Sequence, residues 1–140
     1  MTFRVEQPRE RHRCSACGSA EVWDQGGVER TFRAVPIGAK QVLLQVKIPV
    51  VMCFDCGMIR QVKLGFADPK KHYTRAFERY ALDLSRLMTI QDVAKHLKVG
   101  WDTIKDIQAR SLQRRFGKPN LHKLKKIAID EMPSAKDTAI

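Results

Sequence analysis

The chain has 140 residues, 26 Lys+Arg against 15 Asp+Glu for a net charge of +11, four cysteines and a hydrophobic fraction of 44%. That much apolar residue supports a folded core of one ordinary domain or two very small ones, and four cysteines are too few for a disulfide-built scaffold. The longest apolar run, Ile48 to Phe54 with Pro49 inside it, falls far short of the roughly 20 residues that span a bilayer.

Met1 to Pro8 lead into charged residues without the apolar stretch of a secretory leader. This places the chain in the cytoplasm, where thiols stay reduced. The surplus positive charge then calls for a polyanionic partner, nucleic acid or anionic lipid headgroups.

Cys14-Ser15-Ala16-Cys17-Gly18 and Cys53-Phe54-Asp55-Cys56-Gly57 are two copies of one C-x-x-C-G pattern. Two-residue spacing lets both thiolates of a pair face one ion, and the following Gly permits a tight turn close to the sulfurs. Between the pairs, Arg30–Val35 and Gln41–Ile48 alternate partially as strands, with Gly26-Gly27 and Pro36-Ile37-Gly38 read as turns. The pattern predicts a β-rich zinc ribbon over residues 1–66, with Cys14, Cys17, Cys53 and Cys56 binding one structural Zn²⁺. Four protein ligands leave no open position for water or substrate. A redox dithiol is the competing reading, but it needs a single C-x-x-C in a βαβ setting. His12 lies near Cys14 but is not needed by a completed tetrahedron, and His72, His96 and His122 read as ordinary residues.

Helical periodicity begins at Thr74, a plausible N-cap, followed by an apolar stripe of Phe77, Tyr80, Ala81, Leu84, Leu87 and Met88. Thr89-Ile90-Gln91-Asp92 has the form of a capping box opening a second helix with Val93, Ala94 and Leu97 inward. Lys98-Val99-Gly100 breaks the period, and a third helix starts at Trp101 with Ile104, Ile107 and Leu112 as its apolar positions. Ala94 is the small residue where two helices cross and Val99 the apolar anchor of the turn, so residues 67–120 predict a helix-turn-helix. Lys98 occupies the left-handed position where Gly is usual.

Opposite Ile104 and Ile107 fall Asp102, Lys105, Asp106, Ala109, Arg110 and Gln113, candidates for a DNA major groove. Thr103 and the helix N-terminus suit a backbone phosphate. The i, i+4 spacing of Asp106 and Arg110 favours an ion pair along the helix over base reading. Trp101 has two readings, core aromatic or groove contact. Arg114 and Arg115, followed by Lys118, Lys123, Lys125 and Lys126, extend the basic run toward phosphates. Counted by segment, residues 1–73 carry 12 − 7 = +5, residues 74–126 carry 13 − 5 = +8, and residues 127–140 carry 1 − 3 = −2.

The two C-x-x-C-G pairs, Arg30-Thr31-Phe32-Arg33, His72-Tyr73-Thr74-Arg75, Val99-Gly100-Trp101-Asp102-Thr103-Ile104 and Ile127-Ala128-Ile129-Asp130-Glu131 occur in that order. In this the chain resembles the N-terminal part of the ISL-type insertion-sequence transposases. The resemblance implies a zinc ribbon, a helix-turn-helix, and then the start of an RNase-H-like domain whose first metal-binding carboxylate matches Asp130. It implies binding of the terminal inverted repeats of an element as double-stranded DNA, while the residues themselves read as an α+β chain with no membrane association and with a homodimer as a further partner. Residues 121–140 are expected to be a disordered stub of the catalytic domain, so the chain is read as a truncated piece and not an enzyme by itself. A small transcriptional regulator or antitoxin with the same two parts is the alternative.

Overall fold

The computed structural model describes residues 1–128. Asp130 and most of the family-matching stretch 127–131 lie outside them. The architecture is a four-stranded sheet followed by three helices, in the order β1 (Thr2–Glu6), β2 (Val22–Ile37), β3 (Lys40–Cys53), β4 (Ile59–Gln61), α1 (Arg75–Leu84), α2 (Ile90–Leu97) and α3 (Trp101–Phe116).

The β2–β3 hairpin dominates the first half, and both strands run beyond the alternating segments expected from sequence. Ile37 pairs with Lys40 around a two-residue turn, so Pro36 lies inside an irregular strand end. Gly26-Gly27 proves to be a bulge and not a turn, with a register shift between Asp24 and Gly27. Gly26 has φ +101°, and a Cβ at Gly27 would stand 3.1 Å from the Ile48 carbonyl oxygen, so side chains are disfavoured by conformation at the first and by crowding at the second. Because the bulge absorbs the mismatch, pairing resumes and carries Val22 opposite Cys53. The two cysteine loops are thereby brought to the same end of the sheet.

β1 lies parallel to β3, from Thr2 opposite Leu43 to Glu6 opposite Lys47, and the N-terminal ammonium donates to the Gln41 carbonyl at 2.8 Å. Sequence reading passed over this strand, although Thr2-Phe3-Arg4-Val5-Glu6 alternates polar and apolar residues with the required period of two. On one face of the sheet Phe32, Val46 and Ile48 are buried with Ala67, and Leu64 and Phe66 fold over them. Phe32 and Phe66 meet edge to face, centroids 5.6 Å apart.

The helices begin where their caps predict. Thr74 Oγ1 accepts from the Phe77 N–H at 3.1 Å, and Thr89 Oγ1 accepts from the Asp92 N–H at 3.2 Å. Asp92 departs from the usual box, because its carboxylate accepts a hydrogen bond from the Thr89 hydroxyl at 2.7 Å and not from the Thr89 backbone N–H. α1 ends sooner than its apolar stripe suggests. Ser85 Oγ donates to the Ala81 carbonyl, and the chain turns, leaving Leu87 84% exposed and Met88 also outside the core. Lys98 adopts φ 52°, ψ 50°, with the Val99 N–H bonded back to the Ala94 carbonyl at 3.0 Å. This is the left-handed helix end expected at that position. Tyr73, Phe77, Ala81, Val93, Ala94, Leu97, Ile104 and Ile107 form the helical core, while Leu112 is exposed and does not join it.

Sheet and helices are joined at Arg33. Its backbone N–H donates to the His72 carbonyl at 2.7 Å and its carbonyl accepts from the Thr74 N–H at 2.9 Å, so the approach to α1 extends the free edge of β2. The Arg33 guanidinium crosses into the helical core, donating from Nη2 to the Leu97 carbonyl at 2.6 Å and lying 5.8 Å from the Phe77 ring centre. That carbonyl is at the negative end of α2, where a cation is favoured.

A β-carbon in the left-handed region costs about 1 kcal/mol. Lys98→Gly is therefore expected to raise the unfolding free energy by about that amount, read by thermal or denaturant melting. A loss of stability would contradict the strained turn.

Candidate metal centre and nucleic-acid interface

Each cysteine pair sits in the same small turn. The Gly18 N–H returns to the Cys14 carbonyl and the Gly57 N–H to the Cys53 carbonyl, both at 2.9 Å, with φ +79° and +67° at the two glycines. Cys14 Sγ lies 3.6 Å from Cys56 Sγ and Cys17 Sγ 3.5 Å from Cys53 Sγ, and all four sulfurs are within 4.8 Å of one another. A tetrahedral ion with Zn–S bonds of about 2.3 Å requires sulfurs about 3.8 Å apart. The cluster fits zinc, and its four-way convergence fits neither a lone redox dithiol nor two separate disulfides.

The backbone N–H groups of Cys17 and Ala16 hold the Cys14 thiol down at about 6. For Cys17, a backbone bond at Ser19 acts downward, but the neighbouring Cys53 sulfur and burial outweigh it and push the thiol up to about 12. Four crowded thiols do not all ionise without a cation among them. His12 is buried outside the cluster, with Nε2 3.2 Å from the Gln7 carbonyl oxygen and Nδ1 3.9 Å from Asp24. It fastens the segment after β1 and is not among the clustered ligands.

The second feature is α3. Its basic residues do not form the single open face that helical periodicity suggests. Arg110 donates from Nη2 to Asp68 at 2.6 Å, and from Nη1 to Glu78 at 3.2 Å and to the Tyr73 hydroxyl at 3.0 Å. Arg114 also pairs with Glu78, which is only 4% exposed. Asp106 accepts from Lys71 Nζ at 2.7 Å and from the Tyr73 hydroxyl at 3.1 Å. Arg75 completes the set by donating to Asp68 at 2.7 Å. The expected Asp106–Arg110 pair along the helix is thus replaced by partners on α1 and on the segment before it. The reason is that Glu78, buried on α1, needs cations and α3 is the element beside it.

The Arg75 and Arg110 guanidiniums hold Asp68 below the usual carboxylate range, Lys71 does the same for Asp106, and burial raises the Tyr73 phenol. The outer side of α3 carries Trp101, Asp102, Lys105, Ala109, Gln113 and Arg115, all exposed, together with the exposed apolar side chains of Leu112 and Phe116. Thr103 is half-buried at the edge of that face. Trp101 is 46% exposed, with Lys105 Nζ 4.9 Å from its ring centre. The core reading of Trp101 is overturned because Ile104 and Ile107 already fill the inner side of the helix. Sequence reasoning missed Arg33, Asp68, Lys71, Tyr73 and Glu78. The one available signal was Glu78, an acid placed directly after the core position Phe77.

A closed four-cysteine ribbon packed against a helix-turn-helix defines a zinc-ribbon protein of the DNA-binding helix-turn-helix class. Residues 10–56 match the family described as zinc-finger of transposase IS204/IS1001/IS1096/IS1165, and residues 62–111 match the helix-turn-helix domain of transposase family ISL3. The transposase for insertion sequence element IS1001 from Bordetella parapertussis is 28% identical over 121 residues, covering 84% of this chain and 29% of the relative's length. No solved structure matches. The chain carries the zinc-ribbon and helix-turn-helix domains of the ISL3-type transposase families, as an N-terminal fragment of such a protein would. Among the described residues no helix is long and apolar enough to cross a membrane.

Freshly purified reduced protein is expected to hold one equivalent of zinc, and strong chelation to unfold the sheet end, since structural zinc contributes on the order of 10 kcal/mol. Elemental analysis showing well under half an equivalent would refute the site. The paired carboxylates add an acid dependence. Asp68 and Asp106 have depressed values in the folded protein, so their contribution is complete above the ordinary carboxylate value of about 4 and disappears as pH falls through the folded values. Asp68→Asn should cost roughly 1 kcal/mol near neutrality, and its deficit against wild type should shrink in acid. A deficit independent of pH would count against the ion network.

Proposed function

We propose that this chain recognises double-stranded DNA at the terminal inverted repeats of an insertion sequence, as the binding module of a transposase acting in the cytoplasm. The observation that carries the proposal is the matched ribbon and helix-turn-helix in family order, with the outer side of α3 left free by its internal ion pairs. Trp101, Asp102 and Lys105 form the reading end of α3. Lys105 suits guanine acceptors, Asp102 a cytosine amino group and the Ala109 methyl a thymine methyl. Thr103 and Arg115 flank this face and serve phosphates.

Asp106, Arg110 and Arg114 act as positioning residues, fixing the angle at which α3 leaves the body of the protein. We assign binding and not strand transfer to residues 1–128, because the chain spans 29% of the relative's length and the matched domains are the ribbon and the helix-turn-helix. The resemblance gives Asp130 to the first carboxylate of a catalytic triad completed elsewhere in such a polypeptide.

Selection of duplexes from a random pool tests the assignment. Lys105→Ala and Trp101→Ala are each expected to relax the preference at one or two base pairs, a loss of about 1–3 kcal/mol of discrimination. Arg115→Ala should weaken all sequences alike. Unchanged preferences in both of the first two variants would move recognition away from α3.

A further inference from the structure

One face of the sheet is covered along only part of its length. Ile48, Val50 and Met52 alternate onto the same face of β3. At Ile48 that face is closed by Leu64 and Phe66, which pack on the cluster of Phe32, Val46 and Ile48. At Met52, beside the cysteines, it is bare. Met52 stands opposite Trp23 of β2 on one side and Ile59 of β4 on the other, so three apolar residues form one row across three strands. Trp23 and Ile59 are each 60% exposed. The loop between Met52 and Ile59 adds the exposed Phe54 and Met58, and Val28, opposite Ile48, is exposed at the margin.

Single apolar residues on a surface are ordinary, but a group of large ones gathered at one end of a sheet is not. At their exposures Trp23, Val28, Phe54, Met58 and Ile59 offer roughly 500 Å² of apolar surface, taking about 150–250 Å² for a large side chain. A standard interface takes about 800 Å² from each partner, and about 65% of a homodimer interface is apolar, again roughly 500 Å². The patch has the area that one isologous contact needs.

Charge selects the occupant. The chain as a whole carries +11, yet the rows Trp23–Met52–Ile59, Val50–Gln61 and Val28–Ile48 hold no charged residue. Four thiolates around one Zn²⁺ give 2 − 4 = −2, and Asp55 stands in the same loop as Phe54 and Met58. Such surroundings repel a phosphate backbone. A neutral apolar surface, in contrast, is complementary to itself, which is what a two-fold contact requires.

We propose that the bare end of this sheet face packs against the same face of a second copy of the chain, related by a two-fold axis. Trp23 and Ile59 become the buried centre of the contact, and the zinc loops form its rim. Residues of α3 take no part, so the pairing is independent of what that helix reads. Where α3 reads DNA as proposed above, the dimer presents two such helices from one assembly.

Sedimentation velocity of the zinc-loaded chain over a concentration series should show a reversible monomer–dimer equilibrium. Trp23→Glu and Ile59→Glu put like charges into the contact from both copies. Each should raise the dimer dissociation constant about tenfold or more, while zinc content and melting temperature stay at wild-type values because both side chains are exposed. Leu112→Glu, the same change at an exposed apolar residue of α3, should leave the dimer intact. A second measurement adds no charge to the contact. In Trp101→Phe, Trp23 is the one tryptophan left, and its emission should shift to the blue as the dimer forms.

Wild type that stays monomeric throughout the series would overturn the pairing. So would a dimer that persists in Trp23→Glu and Ile59→Glu but dissociates in Leu112→Glu, since the contact would then lie on α3. A dimer that forms without moving the Trp23 emission would overturn it as well. A blue shift that appears only on addition of duplex DNA would give the patch to nucleic acid and not to a second copy.

Discussion

The placement of Arg33 is the constraint on which the remainder of the molecule depends. A long polar side chain on a β-strand ordinarily goes to solvent, but this one is buried and spans from the sheet to the end of α2. Its cationic head is tolerated because the Leu97 carbonyl at the negative end of the helix accepts from it and an aromatic face lies beside it. Its backbone pairs with the 72–74 segment, so one residue fixes both the start of α1 and the end of α2 relative to the sheet. Burial lowers the Arg33 pKa from its ordinary value, the expected cost of desolvating a cation. The orientation of the helices, α3 included, is therefore inherited from the β-sheet.

The zinc cluster governs the opposite end of that sheet. At that end Trp23 and Phe54 are exposed, and the buried side chains of Val51 and Cys53 join neither core cluster. The Gly26-Gly27 bulge keeps β2 in register to Val22, and convergence of four sulfurs replaces the missing core with a point of covalent-like strength. Metal and hairpin depend on each other: the bulge brings the pairs together, and the ion holds the strand ends against fraying.

The positive charge of the helical region has two separate roles. Arg75, Arg110 and Arg114 are committed to Asp68 and Glu78, where the low-dielectric surroundings of Glu78 make the pairing necessary. Lys105, Arg115 and Lys98 stay exposed. A net charge alone does not distinguish the two groups, since an arginine clamped to a buried glutamate and one pointing at solvent count equally. The outer side of α3 is consequently less basic than its composition suggests, with Trp101 and Lys105 exposed at its start.

Local chemistry determined much of this protein directly from the sequence. The C-x-x-C-G spacing specified the four ligands, Thr74 and Thr89 specified two helix starts, and Lys98-Val99-Gly100 specified the turn, because each depends on residues within one or two turns of chain. Ile104 and Ile107 were legible as the inner face of α3 for the same reason, since helical period is a local property. The tertiary structure decided the parts that depend on partners distant in sequence. These are the parallel pairing of β1 with β3, the bulge at Gly26-Gly27, the end of α1 at Leu84, and the exposure of Trp101. It also decided which cations remain free, because Arg110 finds Asp68 and Glu78 only after α1 and α3 have packed. A periodic helix wheel has no term for a carboxylate buried on another helix, and Arg33 could be recognised as the joint only once the sheet and the helices had met.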